Sequence, residues 1–204
     1  MAAELASDLA GTGRTKGMAW ADQIRTFERL YGRERLVAAV RAMPDRWRRG
    51  LDENHPVLGV LDASWYLETQ RNAFYDPLTR DMTQLQQQAL ARAMAKTVMD
   101  RSLRGLHRMI FAIMATPERF VKHAQSLWKV HHDTGRLRLQ MLSPTSLEAV
   151  VLEWPTHHPF ACMINHYACQ VTLEEMGCSD MTEHRVCAFA ERAECSGVYH
   201  WRKR

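Results

Sequence analysis

Residues 136–141 read Arg-Leu-Arg-Leu-Gln-Met, and their pattern is the main indication of the fold class. Its apolar side chains alternate strictly with polar ones, the period of two that is typical of a half-buried β-strand. The sequence Ser143-Pro144-Thr145-Ser146 predicts a turn, and residues 147–154 are apolar enough to form a second, more buried strand. Sheet structure is therefore expected to begin at residue 136.

Upstream of that stretch the apolar residues follow a helical period. Trp20, Ile24, Phe27 and Tyr31 are spaced i, i+4, i+7 and i+11, which places them on one face of a helix. Further helices are predicted at residues 36–43, from Asp62 to just before Pro77, from Thr83 to residue 114 with a bend at Gly105, and from Thr116-Pro117-Glu118 to Asp133-Thr134-Gly135.

Downstream, the pattern predicts one more helix and two more strands. The helix follows Pro159 and ends near Gly177, and the strands span residues 182–190 and 198–201. The fold class is therefore α+β, a helical N-terminal half followed by a ββαββ unit with a small antiparallel sheet. We expect a flexible N-terminus at residues 1–18 and a single ligand-binding-type domain at residues 19–204.

Charge and composition limit the classes of function. The formal net charge is +4, and much of it comes from one arginine-rich stretch, residues 33–49, and from the last three residues. No recognition motif accompanies these charges, so a nucleic-acid partner is not expected. The N-terminal residues lack the pattern of a signal peptide and no apolar stretch is long enough to span a membrane, so we expect a cytoplasmic protein without membrane contact.

Chemically reactive side chains concentrate near the C-terminus. All five cysteines lie between Cys162 and Cys195, and an odd number without a secretion signal argues against a disulfide framework. Thiolates and imidazoles are the ligands that zinc prefers, although buried core cysteines are the alternative. His131-His132 could line a pocket, although exposed histidines at a helix end are the commoner case, and His157-His158 is typical of a polar loop. No catalytic motif is present, so no enzyme activity is expected.

The spacing of these cysteines carries a family resemblance. Cys162 heads a helix, His184-Arg185-Val186-Cys187 follows more than twenty residues later, and seven residues separate Cys187 from Cys195. This arrangement resembles the C-terminal part of the vinyl-reductase-type ligand-binding domain, in which Glu-x-x-Cys stands where this chain has His184 to Cys187. That family includes the sensor domains of phenol-responsive bacterial transcription activators and accessory proteins of bacteriochlorophyll synthesis. It is related in fold to Golgi transport subunits and haem nitric-oxide sensors.

The resemblance implies a structural zinc ion held by Cys162, His184, Cys187 and Cys195. On a regular strand, however, Glu183 shares a face with Cys187 whereas His184 points to the other face. Glu183, or His166 from the preceding helix, therefore stays open as the fourth ligand.

The resemblance also implies a function. We expect a non-enzymatic sensor or binding module for a small hydrophobic or aromatic molecule. The alternatives are a ligand-free dimeric adaptor of the same fold and a haem-based gas sensor. The expected pocket residues are Phe111, Met114, Trp128 and Met141, with His107 to hydrogen-bond a hydroxyl group. The expected partners are a second copy of the chain, giving a homodimer through the N-terminal helices, and a downstream signalling protein.

Overall fold

The computed structural model describes residues 13–102, 116–187 and 194–202. The helices among them are α1 (Gly17–Tyr31), α2 (Arg33–Arg41), α3 (Asp45–Arg48), α4 (Glu68–Thr79), α5 (Gln84–Ser102), α6 (Pro117–His131) and α7 (Pro159–Glu175). The strands are β1 (Arg14–Lys16), β2 (Trp65–Leu67), β3 (Arg136–Ser143), β4 (Ser146–Leu152), β5 (Ser179–Cys187) and β6 (Glu194–Arg202). Within these ranges, no helix combines the length and the apolar character that crossing a membrane requires.

The chain has the α+β fold that the change of period predicts, with the ββαββ unit at its C-terminal end. The four-stranded sheet has the order β3-β4-β6-β5, and every neighbouring pair is antiparallel. Helix α7 connects β4 to β5. Leu139 on β3 pairs with Ala149 on β4, and Ala149 pairs with Gly197 on β6, so the two most buried strands lie at the centre.

Two apolar clusters form the core. The larger one joins the N-terminal helices to the start of α7, and Trp20, Ile24 and Phe27 are fully buried in it, as their helical spacing predicts. The smaller one lies between α6, α7 and the sheet, where Phe120 and Tyr199 are buried. The sheet residues of both clusters lie on one face of the sheet, and burial of the two clusters supplies the main favourable free energy of folding.

The structure differs from the sequence-based expectations at the N-terminal end. The flexible segment was expected to extend to residue 18, but β1 pairs with β2 and the side chain of Thr15 on it is fully buried. The helix expected from Asp62 begins only at Glu68, because β2 precedes it. It also continues through Pro77, and the burial of Phe74, Tyr75 and Leu78 offsets the missing backbone donor.

A second difference concerns Cys195, which was expected in a loop. It lies inside β6 and pairs with Val151 on β4 and with Cys187 on β5, because β6 begins at Glu194 rather than at residue 198. Gly105 and the expected pocket residues His107, Phe111 and Met114 lie outside the described residues.

Candidate functional site

A central cavity of about 390 Å³ lies between the helices and the sheet. Helices α1, α4, α5, α6 and α7 and strands β3 and β4 contribute to its walls, and most of the lining is apolar. Its polar lining residues are Gln23, Arg71, Ser102, His123, Ser126, His131, His132, Asn165, His166 and Thr172. Sites that bind small molecules have this size range and this mixture of apolar walls with a few polar groups.

Two expected pocket residues lie within the described part of the chain, and the structure separates them. Trp128 lines the cavity and donates a hydrogen bond from Nε1 to the carbonyl oxygen of Thr134 at 2.7 Å. Met141 instead packs against the smaller core cluster. It lies four residues beyond Leu137, the residue of β3 that does line the cavity.

A fully buried carboxylate, Glu68, lies at the N-terminal end of α4 beside this cavity. His132 donates from Nδ1 to Glu68 Oε1 at 2.5 Å, and Trp154 Nε1 and Thr156 Oγ1 both donate to Glu68 Oε2. We call Glu68 and these three donors the Glu68 network. Arg71, one turn further along α4, places Nη2 at 3.7 Å from Glu68 Oε1.

Of the two alternatives for His131-His132, the structure has both residues in the cavity wall, and His132 is buried rather than exposed at the helix end. Its side chain is buried, because the residue pairs with Thr15 of β1 and the imidazole stacks on Trp128 with 4.1 Å between ring centroids. The ring then reaches Glu68, so a histidine that the sequence places beyond a helix becomes part of a buried polar network.

The environment fixes the protonation states of this pair. Burial alone would raise the pKa of Glu68, but the hydrogen bond from His132 and the charge of Arg71 outweigh it and hold that pKa below its usual range. Burial lowers the pKa of His132 despite the neighbouring carboxylate. At neutral pH the network therefore contains an ionised Glu68 and a neutral His132.

A second group of side chains meets at the edge of the sheet. His157, Cys162, Cys187 and Cys195 place their Nε2, Nδ1 or Sγ atoms within 4.8 Å of one another, and we call them the cysteine cluster. Cys187 Sγ lies 3.3 Å from His157 Nε2. The structure joins Cys162 and Cys195 in a disulfide, which the odd number of cysteines did not predict, and their Cα atoms are 7.3 Å apart.

The structure thus brings together three of the four residues named as zinc ligands, and it places His157 where His184 was expected. His184 is exposed on β5, with its side chain on the face opposite to Glu183. Glu183 points inward and lies near His166, at 4.0 Å between Oε1 and Nδ1. Neither belongs to the cysteine cluster, whose histidine is His157, a residue outside the ligand set that the resemblance implied.

His166 connects the cysteine cluster to the cavity. It lines the cavity from α7 and is buried, with Nδ1 at 2.7 Å from the hydroxyl oxygen of Tyr199 and Nε2 at 3.4 Å from Cys195 Sγ. A Cβ atom at Gly197 would come within 2.7 Å of His166 Nδ1, so the close packing of this ring requires glycine there.

Comparison with known proteins identifies the fold. No model of a protein family matches the sequence, and no curated protein matches it. Among solved structures, the unliganded Fe(II) H-NOX protein from K. algicida matches with a TM-score of 0.70 and 10% identity, over 93% of this chain and 97% of that one. An H-NOX protein from S. oneidensis in the Fe(II)NO ligation state matches with a TM-score of 0.62 and 11% identity, over 92% of this chain and 99% of that chain.

A third match is the oxygen complex of an H-NOX domain related to soluble guanylate cyclases, with a TM-score of 0.61 and 7% identity over 92% of this chain and 95% of that chain. The chain therefore has the fold of H-NOX domains. The relation in fold to nitric-oxide sensors that the sequence resemblance implied is confirmed. The closer resemblance to vinyl-reductase-type domains stays a prediction.

The Glu68 network predicts a specific response to substitution. Glu68→Gln keeps the shape of the side chain but removes the charge that opposes Arg71, and breaking a buried ion pair in this way costs about 3 kcal/mol. Folding lowers the pKa of Glu68, so the ionised carboxylate stabilises the folded protein. This contribution is complete at any pH above the pKa of glutamate in the unfolded chain, and it is lost as the pH falls through the lower pKa of the folded state. Urea denaturation should therefore show a large difference between variant and wild type at pH 7 that shrinks below about pH 4.

The matched control is Glu34→Gln on the exposed face of α2. Its free energy of unfolding should stay within about 0.5 kcal/mol of the wild-type value. Equal effects of the two substitutions at pH 7 would contradict the role assigned to Glu68.

Proposed function

We propose that this chain is a non-enzymatic sensor domain that holds a small, mainly apolar molecule in its central cavity. The observation that supports this is the cavity itself, about 390 Å³ in volume, with walls from both the helical half and the sheet. A ligand in that position contacts both halves, so its arrival can change how they pack. One H-NOX protein of the same fold is in an Fe(II)NO ligation state, and another is an oxygen complex.

The state of the cavity's reactive side chains supports binding over catalysis. Burial raises the pKa of the Cys169 thiol to about 12, so it is protonated and a poor nucleophile. His132 and His166 are both held in contacts with protein groups. A general base needs an accessible nitrogen near the proton it removes, which these two rings do not offer.

Haem is the second candidate ligand, and the H-NOX fold is the reason to consider it. When bound, haem supplies an iron atom that binds diatomic gases, and histidine is a common protein ligand of that iron. Four histidines line the cavity, and two of them, His132 and His166, are committed to Glu68 and Tyr199. His123 on α6 is a described lining residue that could bind iron. The apolar walls suit the hydrophobic faces of a porphyrin.

Ligand binding can be tested directly. Aromatic probes, phenols included, should raise the melting temperature of the wild-type protein, since a ligand at a hundredfold excess over its Kd adds about 2.7 kcal/mol. Ala95 is fully buried and lines the cavity, so Ala95→Phe should fill it and abolish the shift. Ala38→Phe on the exposed face of α2 is the control and should leave the shift intact.

The absorption spectrum separates the two ligand classes. A Soret band in the purified protein, or on titration with haem, would identify haem as the ligand. If no Soret band appears, the small apolar molecule stays as the proposed ligand. If no probe shifts the melting temperature at millimolar concentration and haem does not bind, the sensor function is contradicted.

We also propose that the cysteine cluster binds a structural zinc ion. Three thiolates and one imidazole in a tetrahedron are a common structural zinc site. The structure joins Cys162 and Cys195 in a disulfide, but their Cα separation of 7.3 Å exceeds the roughly 7 Å limit for bridging two cysteines without backbone movement, so we propose that the reduced pair shares the ion. Burial, with the nearby His158, lowers the pKa of His157 to about 4, so its imidazole is in the neutral form that binds metal.

The zinc proposal assigns the fourth ligand to His157 and not to His184. Elemental analysis should find about one zinc per wild-type chain. Cys187→Ser and His157→Ala should lose it and unfold at lower temperature, because zinc binding contributes to folding free energy. His184→Ala is the matched control and should keep the metal, since that side chain is exposed and outside the cluster. Zinc-free wild-type protein in which Cys162 and Cys195 form a disulfide would contradict the proposal.

A further inference from the structure

Gln23 on α1 is a buried polar residue in the mainly apolar wall of the cavity. It is 4% exposed and lines the cavity, and α5 packs against the same helix. Its side-chain amide has an oxygen that accepts hydrogen bonds and a nitrogen that donates two. A buried donor without an acceptor is unfavourable, so the partners of this amide indicate what the cavity can hold.

The oxygen end of the amide is held by the protein. Tyr75 on α4 donates its hydroxyl hydrogen to Gln23 Oε1 at 2.5 Å, and both residues are buried. Burial raises the pKa of Tyr75 to about 12, so the hydroxyl keeps its hydrogen at neutral pH. The ring of Tyr75 is packed edge-on against Phe160, with 5.2 Å between centroids. This contact fixes the donor, and the donor fixes the orientation of the Gln23 amide.

The nitrogen end of the amide has no partner within the described part of the chain. Gln23 Nε2 donates to none of these residues, and it is not one of the unpartnered polar atoms that the surrounding protein encloses completely. Arg71 shows the contrast, because its unpartnered Nε and Nη2 atoms are enclosed in that way. Since Gln23 is almost fully buried and lines the cavity, the accessible surface of Nε2 faces the cavity.

A donor that faces the cavity selects a ligand with an acceptor. We propose that the ligand is an uncharged, mainly apolar molecule with a carbonyl oxygen, and that this oxygen accepts a hydrogen bond from Gln23 Nε2. A carbonyl group brings two lone pairs and no donor. A hydroxyl group would bring a donor of its own, and Gln23 Oε1 already accepts from Tyr75. The inference rests on the proposed function and names the chemical class of its ligand.

The charges around the cavity favour a neutral ligand over an acid. The described lining contains one arginine, Arg71, and no lysine, and ionised Glu68 balances that arginine at 3.7 Å. A carboxylate would therefore lose its water without gaining a free counter-charge, which is costly. Val98, Val151 and Ile164, from α5, β4 and α7, form apolar walls. The hydrocarbon or aromatic body of the ligand would lie against them.

Two probes of the same flat shape test the inference on the wild-type protein. Acetophenone carries a carbonyl oxygen, and α-methylstyrene has a CH2 group in its place. The side-chain amide protons of Gln23 should shift downfield in nitrogen-edited NMR spectra when acetophenone binds, because they then donate a hydrogen bond. Binding of α-methylstyrene should cause no downfield shift, because its CH2 group is not an acceptor.

Variants measure what this hydrogen bond contributes to affinity. Gln23→Leu combined with Tyr75→Phe removes the amide without leaving a buried hydroxyl group unsatisfied. Its Kd for acetophenone should rise about fivefold, as expected for one neutral hydrogen bond, and its Kd for α-methylstyrene should stay within about twofold of wild type. Tyr75→Phe alone frees the amide to rotate and should weaken acetophenone binding by a smaller factor. Gln84→Leu, at the exposed start of α5, is the matched control and should change neither Kd.

The outcomes separate the inference from the function on which it rests. The role of Gln23 is overturned if both probes bind but acetophenone causes no downfield shift of its amide protons, or if the double variant binds acetophenone as tightly as wild type. The sensor function would then still stand, because the probes bind. If the double variant does not fold, the NMR comparison on wild type and the Kd values of Tyr75→Phe still decide. Failure of both probes to bind at millimolar concentration would contradict the sensor function and the inference together.

Discussion

The hydrogen bonds to the buried carboxylate of Glu68 determine how the two halves of the molecule meet. An ionised group without access to water must find donors for both oxygens, and Glu68 finds them in segments 64, 86 and 88 residues away along the chain. The residue after α6 and the loop after β4 are thereby tied to the start of α4. Arg71 lies one turn along the same helix, and its charge is balanced by that carboxylate.

Helix α7 gives the cavity and the cysteine cluster a common wall. Cys162 in its first turn belongs to the cluster, and His166 one turn later lines the cavity and contacts Cys195. A zinc ion in the cluster would tie the start of α7 to the ends of β5 and β6, and so would hold this wall in place. Any ligand that moves α7 would then act on the same strands. The expected homodimer and downstream partner would receive such a change, and both stay predictions.

The sequence predicted those features that have a local period or spacing. The alternation at residues 136–141 located the first strand of the sheet, and the spacing of Trp20, Ile24 and Phe27 located a buried helix face. Cysteine spacing singled out Cys162, Cys187 and Cys195, which the structure brings together.

The burial of Glu68 and the place of His157 in the cysteine cluster had no local signal in the sequence. Glu68 opens a helix, where an acid usually serves only to stabilise the exposed N-terminal end. Its burial depends on partners distant in the chain, and no pattern within α4 encodes them. His157 stands in a loop beside a second histidine, so only the folded chain shows which of the two reaches the cysteines.

Native mass spectrometry of protein purified without added ligand would show whether the cavity is a binding site. We expect a folded species heavier than the 23.6 kDa polypeptide by one small molecule in addition to any zinc, and the loss of that molecule when the cavity is filled by Ala95→Phe. A native mass that equals the polypeptide with or without zinc, and that Ala95→Phe leaves unchanged apart from the substitution, would contradict it.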